Sequence, residues 1–210
     1  MKQINQLLFI SFFLTSFCML SCGNDGVQQV KNLWPDTQKI QLQDENVYLQ
    51  IPKQLTRSSR YRLQQDMPNL EKDSLSLVLF QDALAGMEFD DAEIDVFVDS
   101  TSNWMIIIMN LPYVPLDKNI GAMFNGILKK KARAIEAKYP NLKVNKIASR
   151  MKQNKQQKMM KFKNQYLDEK AQRQFFESIY FISTKIQSYA IVEIAAGEKD
   201  IEKHLWSIKD

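Results

Sequence analysis

The chain has 210 residues, of which 45% are hydrophobic and 25% charged, and a formal net charge of +4. These values exclude an intrinsically disordered or collagen-like chain and are those of a globular protein. Two cysteines and one histidine exclude a disulfide framework and any site built from several cysteines and histidines.

The first element is an almost wholly apolar run from Leu7 to Leu20, preceded by Lys2 and closed by Ser21-Cys22-Gly23-Asn24. A positive residue, a short apolar stretch and a small-residue end make the layout of a removable secretory signal. The run falls short of the ~20 apolar residues that span a bilayer. Its last tetrad, Met19-Leu20-Ser21-Cys22, resembles the bacterial lipobox, with methionine where leucine, valine or isoleucine is more usual. The resemblance implies that residues 1–21 are a lipoprotein signal peptide, that Cys22 is lipidated, and that acyl chains of the palmitate kind anchor the protein to a membrane. The other reading is an ordinary secretory signal cut near Ser21 or Gly23. Lipidation agrees better with the cysteines, because losing Cys18 and blocking Cys22 leaves no thiol in an oxidising compartment. Several chains also anchor stably where one binds only marginally. Gly23, rather than aspartate, follows the cysteine, which favours the outer membrane over the inner; the face, periplasmic or surface, stays open.

Residues 22–36 carry no helical or strand period and read as a lipidated tether ending near Trp34-Pro35. Thr37 to Gln43 and Val47 to Pro52, separated by Asp44-Glu45-Asn46, predict a strand pair. Arg57 to Leu70 reads as a short helix stopped before Pro68, and Ser74 to Phe80 as a strand. Ile94 to Val98 and Trp104 to Met109 predict two more strands. Asp117 to Tyr139 is the strongest helix: Asp117 caps it, Pro140 stops it, and Ile120, Phe124, Ile127, Leu128, Ala134 and Ile135 recur at helical spacing. The period then changes to two. Leu142 to Lys152, Lys155 to Tyr166, Gln172 to Thr184 and Ser188 to Ala195 predict an antiparallel meander. Glu198 to Lys209 closes the chain as a helix burying Ile201, Leu205, Trp206 and Ile208.

This order predicts a single α+β domain over residues 37–210, an antiparallel sheet with one long mid-chain helix and a C-terminal helix packed on it. The order, the strand ending Val47-Tyr48-Leu49-Gln50-Ile51-Pro52 and the closing run Tyr189 to Trp206 resemble the PsbP-like sandwich, shared by photosystem accessory proteins, Ran-binding proteins of the Mog type and many small bacterial lipoproteins. The likeness covers about Thr37 to Asp210. It implies a binding or assembly-accessory role rather than catalysis, by analogy of fold alone.

Charge is unevenly placed. Asp66 to Asp99 holds ten acidic residues against Lys72, and Lys129 to Lys163 holds thirteen basic residues against Glu136. The two segments either pair in the fold or make an extended field. Within the acidic segment, Asp91, Glu93 and Asp95 alternate, as would three carboxylates on one face of a strand, with Asp90 and Asp99 nearby. Such a cluster is a candidate for a hard divalent cation, but it lacks EF-hand spacing, and a straight strand spreads its ligands by roughly 7 Å every second residue. A solvated acidic face explains it better. His204, between Lys203 and Leu205, has no partner set for catalysis or zinc and reads as a surface helix residue. No nucleophile elbow or phosphate-binding glycine loop occurs, so no catalytic, cofactor-binding or metal residue is assigned and no cofactor is expected. The lysines of the basic segment interleave with Met160, Phe162 and Tyr166, as in single-strand nucleic-acid binding. Those three side chains are better explained as core, and no nucleic acid is expected outside the cytoplasm.

The expected function is a membrane-anchored envelope lipoprotein, not an enzyme, whose domain binds an envelope protein or anionic envelope component. The alternatives are a divalent-cation-dependent envelope hydrolase using Asp91, Glu93 and Asp95, and a small-ligand carrier with its pocket between helix and sheet.

Overall fold

The apolar runs become strands. β1 (Thr37–Gln41) and β2 (Tyr48–Pro52) form an antiparallel hairpin of their own. β3 (Thr56–Ser58), β4 (Ile94–Asp99), β5 (Trp104–Leu111), β6 (Leu142–Gln153), β7 (Lys158–Asp168), β8 (Arg173–Ser183) and β9 (Ser188–Ala195) join in one antiparallel sheet. Its order is β3-β4-β5-β9-β8-β7-β6. The computed structural model describes residues 36–42, 47–59, 62, 66, 79, 82, 83 and 94–208, all within one compact unit, Asp36–Asp210.

The turns follow from single side chains. Asp99 Oδ1 accepts from the Thr101 amide at 2.9 Å, which lets Asn103 take a positive φ of 46° before β5. Asn154 Oδ1 accepts from the Gln156 and Gln157 amides, both at 2.8 Å, so β7 starts at Lys158 rather than at Lys155. Asp168 does the same for Lys170 and Ala171 at the β7–β8 turn.

Both faces of the sheet are covered. α1 (Lys118–Lys138) lies on one, capped by Asp117 Oδ1, which accepts from the Ile120 amide at 2.8 Å, and ended at Tyr139 by Pro140. Ile120, Phe124, Leu128 and Ile135 pack on Val192, Ile179 and Phe162, and Phe124 stacks on Phe181 with centroids 3.8 Å apart. The β1–β2 hairpin and the chain after β9 cover the other face, where Leu49, Ile51, Ile201, Leu205 and Ile208 pack on Phe97, Ile106 and Ile191. Double coverage explains why β9 is buried at every position and why β5 has no polar alternation over Trp104 to Met109. An α+β antiparallel sheet with the long helix against it is therefore the observed fold.

Three further expectations change. Thr56–Ser58 is a strand paired with β4, so the segment starting at Arg57 begins extended rather than helical. From Ser74 to Phe80 only Leu79 is described, and it is helical and buried under α1. The closing helix is only α2 (Glu202–Leu205), because the residues before it form no helical turn and Glu198 and Asp200 pair with β7 lysines.

Candidate functional site

Each face of the sheet buries one strand glutamate. Glu193 of β9 points toward the C-terminal segment and is 1% exposed. Trp104 Nε1 donates to its Oε1 at 3.1 Å, and its Oε2 lies 2.9 Å from Tyr180 Oη, which is also 3.0 Å from Asp200 Oδ1. One phenolic proton cannot satisfy two carboxylates. When Glu193 is ionised, Tyr180 and the Ile201 amide donate to its Oε2; when it takes up a proton, Glu193 can donate to Tyr180 and leave the phenolic proton for Asp200. Burial, with Asp200 adding to it, pushes the Glu193 carboxyl up to about 7. Burial also raises the Tyr180 phenol. Asp200 and Glu202 go the other way. Burial opposes their ionisation, but bonds from Lys161 to Asp200, and from Lys152, Arg150 and Lys161 to Glu202, outweigh it and hold both below the usual carboxylate range. Lys161 Nζ sits 2.5 Å from Asp200 and 3.1 Å from Glu202, Lys152 Nζ is 2.6 Å from Glu202, and Arg150 also pairs with Glu202. This cluster ties the chain end to the sheet through Lys161, Lys152 and Arg150.

Under α1 the buried glutamate is Glu177 of β8, also 1% exposed. It receives Tyr166 Oη at 2.7 Å, Asn164 Nδ2 at 3.4 Å and Lys131 Nζ at 2.9 Å. Lys131 reaches Asp82 as well, at 2.7 Å. Burial works against the lysine cation, yet the charges of Glu177 and Asp82 win and raise its pKa. Burial likewise raises the Tyr166 phenol.

A groove of about 530 Å³ opens between α1 and the β6 edge. The apolar pattern of α1 faces β7 and β8, so its flank toward β6 is left with Asn125, Ala132 and Glu136. Opposite them β6 offers Val144, Lys146 and Ala148, and Phe162 and Asn164 of β7 also line the groove. The β6 register shifts between Lys146 and Ala148, an extra residue that bends an edge strand at this point. Lys129 and Arg133 stand on the outer turns of α1 beside it.

The residues singled out in the sequence do not assemble into one site. Asp91 and Glu93, with Asp90, lie outside the described residues, as does Cys22. Asp95 is 5% exposed on the β2 side of the sheet, and Arg57 stands 3.1 Å from it. Asp99 serves its turn, and bonds from Ser102 and Thr101 outweigh burial and lower its pKa. Among the described residues no group of carboxylates, histidines or cysteines is arranged to hold a metal ion. His204 is not a surface residue: it is 9% exposed, and burial, then the Lys203 charge, lowers its pKa. Met160, Phe162 and Tyr166 are core, as expected. Sequence reading missed Glu177 and Glu193. Their signal was the one acidic residue inside a mostly apolar strand, Phe175 to Ile182 and Ser188 to Ala195.

Fold and site together define an α+β domain with a charge-locked chain end on one face of the sheet and a ligand-sized groove on the other. No known family model matches the sequence, and no curated protein matches it. Among solved structures it is similar to the solution structure of cyanobacterial PsbP (CyanoP) from Synechocystis sp. PCC 6803, with 11% identity and a TM-score of 0.44. The match covers 90% of this chain and 96% of that one.

Proposed function

We propose that this chain is an envelope lipoprotein, anchored through lipid on Cys22, whose α+β domain binds an anionic envelope component without catalysing a reaction. The anchor rests on the apolar run Leu7 to Leu20 and the tetrad Met19-Leu20-Ser21-Cys22. The binding role rests on one observation, the way the basic segment divides. Lys161, Lys163, Arg150 and Lys152 are matched to Glu198, Asp200 and Glu202, Lys131 to Glu177 and Asp82, and Lys143 to Glu169. Lys129 and Arg133 have no carboxylate within ion-pair distance among the described residues. Unmatched positive charge therefore stands along the outer side of α1, and a surface of one sign attracts partners of the other. The hydrolase reading is weaker, since Arg57 occupies one of its three carboxylates.

Metabolic labelling with a palmitate analogue tests the anchor: wild type takes up label and fractionates with membranes, and Cys22→Ala does neither. A Cys22→Ala chain that still does both contradicts it. Affinity isolation after crosslinking in intact cells tests the partner. A stoichiometric, salt-sensitive adduct that is lost in Lys129→Glu/Arg133→Glu is expected, and an adduct indifferent to both changes counts against the reading.

A further inference from the structure

We propose that the groove between α1 and the β6 edge binds a small anionic amphiphile, a molecule carrying one carboxylate or phosphate on an apolar body. This rests on the binding role above and gives it a ligand class. A volume of about 530 Å³ falls inside the roughly 300–1,000 Å³ of small-molecule pockets.

The lining divides by chemistry. Leu128, Val144 and Phe162 supply an apolar floor, and Ala132 and Ala148 leave room where longer side chains would fill the space. Lys129 and Arg133 rise from successive turns of α1 on one wall, and Lys146 stands on the other. The one acid of the lining, Glu136, accepts from the Val144 amide at 2.8 Å through its Oε1, so part of its hydrogen-bonding capacity is spent on β6. Lys146 Nζ lies 2.9 Å from Asn125 Oδ1, a neutral partner that orients the cation without cancelling its charge. An anion seated at the rim thus meets cations from both walls, each able to make the stronger, charge-assisted kind of hydrogen bond.

The other ligand classes fit less well. A purely polar anion leaves the Leu128, Val144 and Phe162 floor in contact with water. A neutral apolar molecule covers the floor but draws nothing from the three cations. A cationic ligand meets their repulsion. The bulge next to Lys146 supports the same reading, because bulges at sheet edges re-aim side chains beside binding sites.

Calorimetric titration of the full chain with octanoate, octyl phosphate, acetate and octan-1-ol, below their micellar concentrations, tests the proposal. Octanoate and octyl phosphate are expected to bind at one site, and acetate and octanol about tenfold or more weakly. Lys129→Ala and Arg133→Ala, both exposed positions, weaken octanoate severalfold. Ala132→Leu, a swap between good helix formers, fills the groove and abolishes binding with all three cations in place. Equal binding of acetate reduces the site to a charged surface and overturns the proposal, as does equal binding of octanol. No heat with octanoate, or octanoate affinity unchanged in both the Ala132→Leu and the Lys129→Ala/Arg133→Ala chains, overturns it as well. Flotation with phosphatidylglycerol vesicles separates a free amphiphile from a bilayer surface: octanoate should compete for the groove without releasing the chain from vesicles, and release by octanoate contradicts a free ligand. Octanoate binding is read in the Cys22→Ala chain too. A wild-type chain that takes up no label while both chains keep their octanoate affinity sinks the anchor and leaves the groove; label taken up by wild type and lost in Cys22→Ala, with octanoate bound by neither chain, does the reverse.

Discussion

The two faces of the sheet solve one problem in different ways. Each buries a strand glutamate against a tyrosine hydroxyl, Glu177 with Tyr166 under α1 and Glu193 with Tyr180 under the C-terminal segment. Glu177 is paired with a cation, Lys131, whereas Glu193 has no cation in hydrogen-bond contact and its carboxyl is pushed up to about 7, with Lys161 held by Asp200 and Glu202. An ion pair beneath the helix and an acid that takes up its proton near neutral pH beneath the chain end make different demands on pH and on mutation.

The largest effect should come from breaking the ionised pair. Lys131→Met leaves Glu177 charged and buried without its cation, at a cost of about 3–5 kcal/mol, read by chemical denaturation at neutral pH. Adding Glu177→Gln should recover most of the loss, and a double variant no better than the single one would refute the pairing.

Glu193 sharpens the contrast through pH. Its folded pKa lies above its unfolded value, so its contribution is fully present below about pH 4.5 and is lost as pH rises through about 7. The loss is on the order of 3 kcal/mol. Glu193→Gln should keep the hydrogen-bonding shape and flatten stability between those limits; an unchanged slope would place the proton elsewhere. Glu202 has the opposite sign. Its lowered pKa contributes stability above the ordinary glutamate range that disappears as pH falls through the lowered folded value. Glu202→Gln should cost about 2 kcal/mol at neutral pH and little in acid, and would loosen the chain end to proteolysis. Smallest of all is the exposed Lys143–Glu169 pair, where Lys143→Ala should change stability by about 0.5 kcal/mol or less.

Much of the fold was legible because local signals and packing agree. Asp117 and Pro140 bound α1 in the sequence as they do in space, and the long apolar runs of β5 and β9 announce strands covered on both faces. The chain end was misread for a physical reason. Ile201, Leu205 and Ile208 keep helical spacing, but Glu198, Asp200 and Glu202 alternate with period two and meet Lys163 and Lys161, which alternate on β7. Those long-range ion pairs overrode the local pattern and drew His204 under cover. The site was less legible still. No sequence period reveals that α1 leaves a space beside β6, because the space depends on a bulge at Lys146 and Ala148 and on where the helix lies. Counting bases from Lys129 to Lys163 gave a charged segment; only the fold separates the matched lysines from Lys129 and Arg133.

That separation is tested most directly by site-specific photo-crosslinking in intact cells, with the photoreactive residue placed at position 129 in one chain and at position 152 in another. The account predicts a partner adduct from position 129, beside the groove, and none from position 152, on the locked face. Adducts of equal yield from both positions, or from position 152 alone, would contradict it.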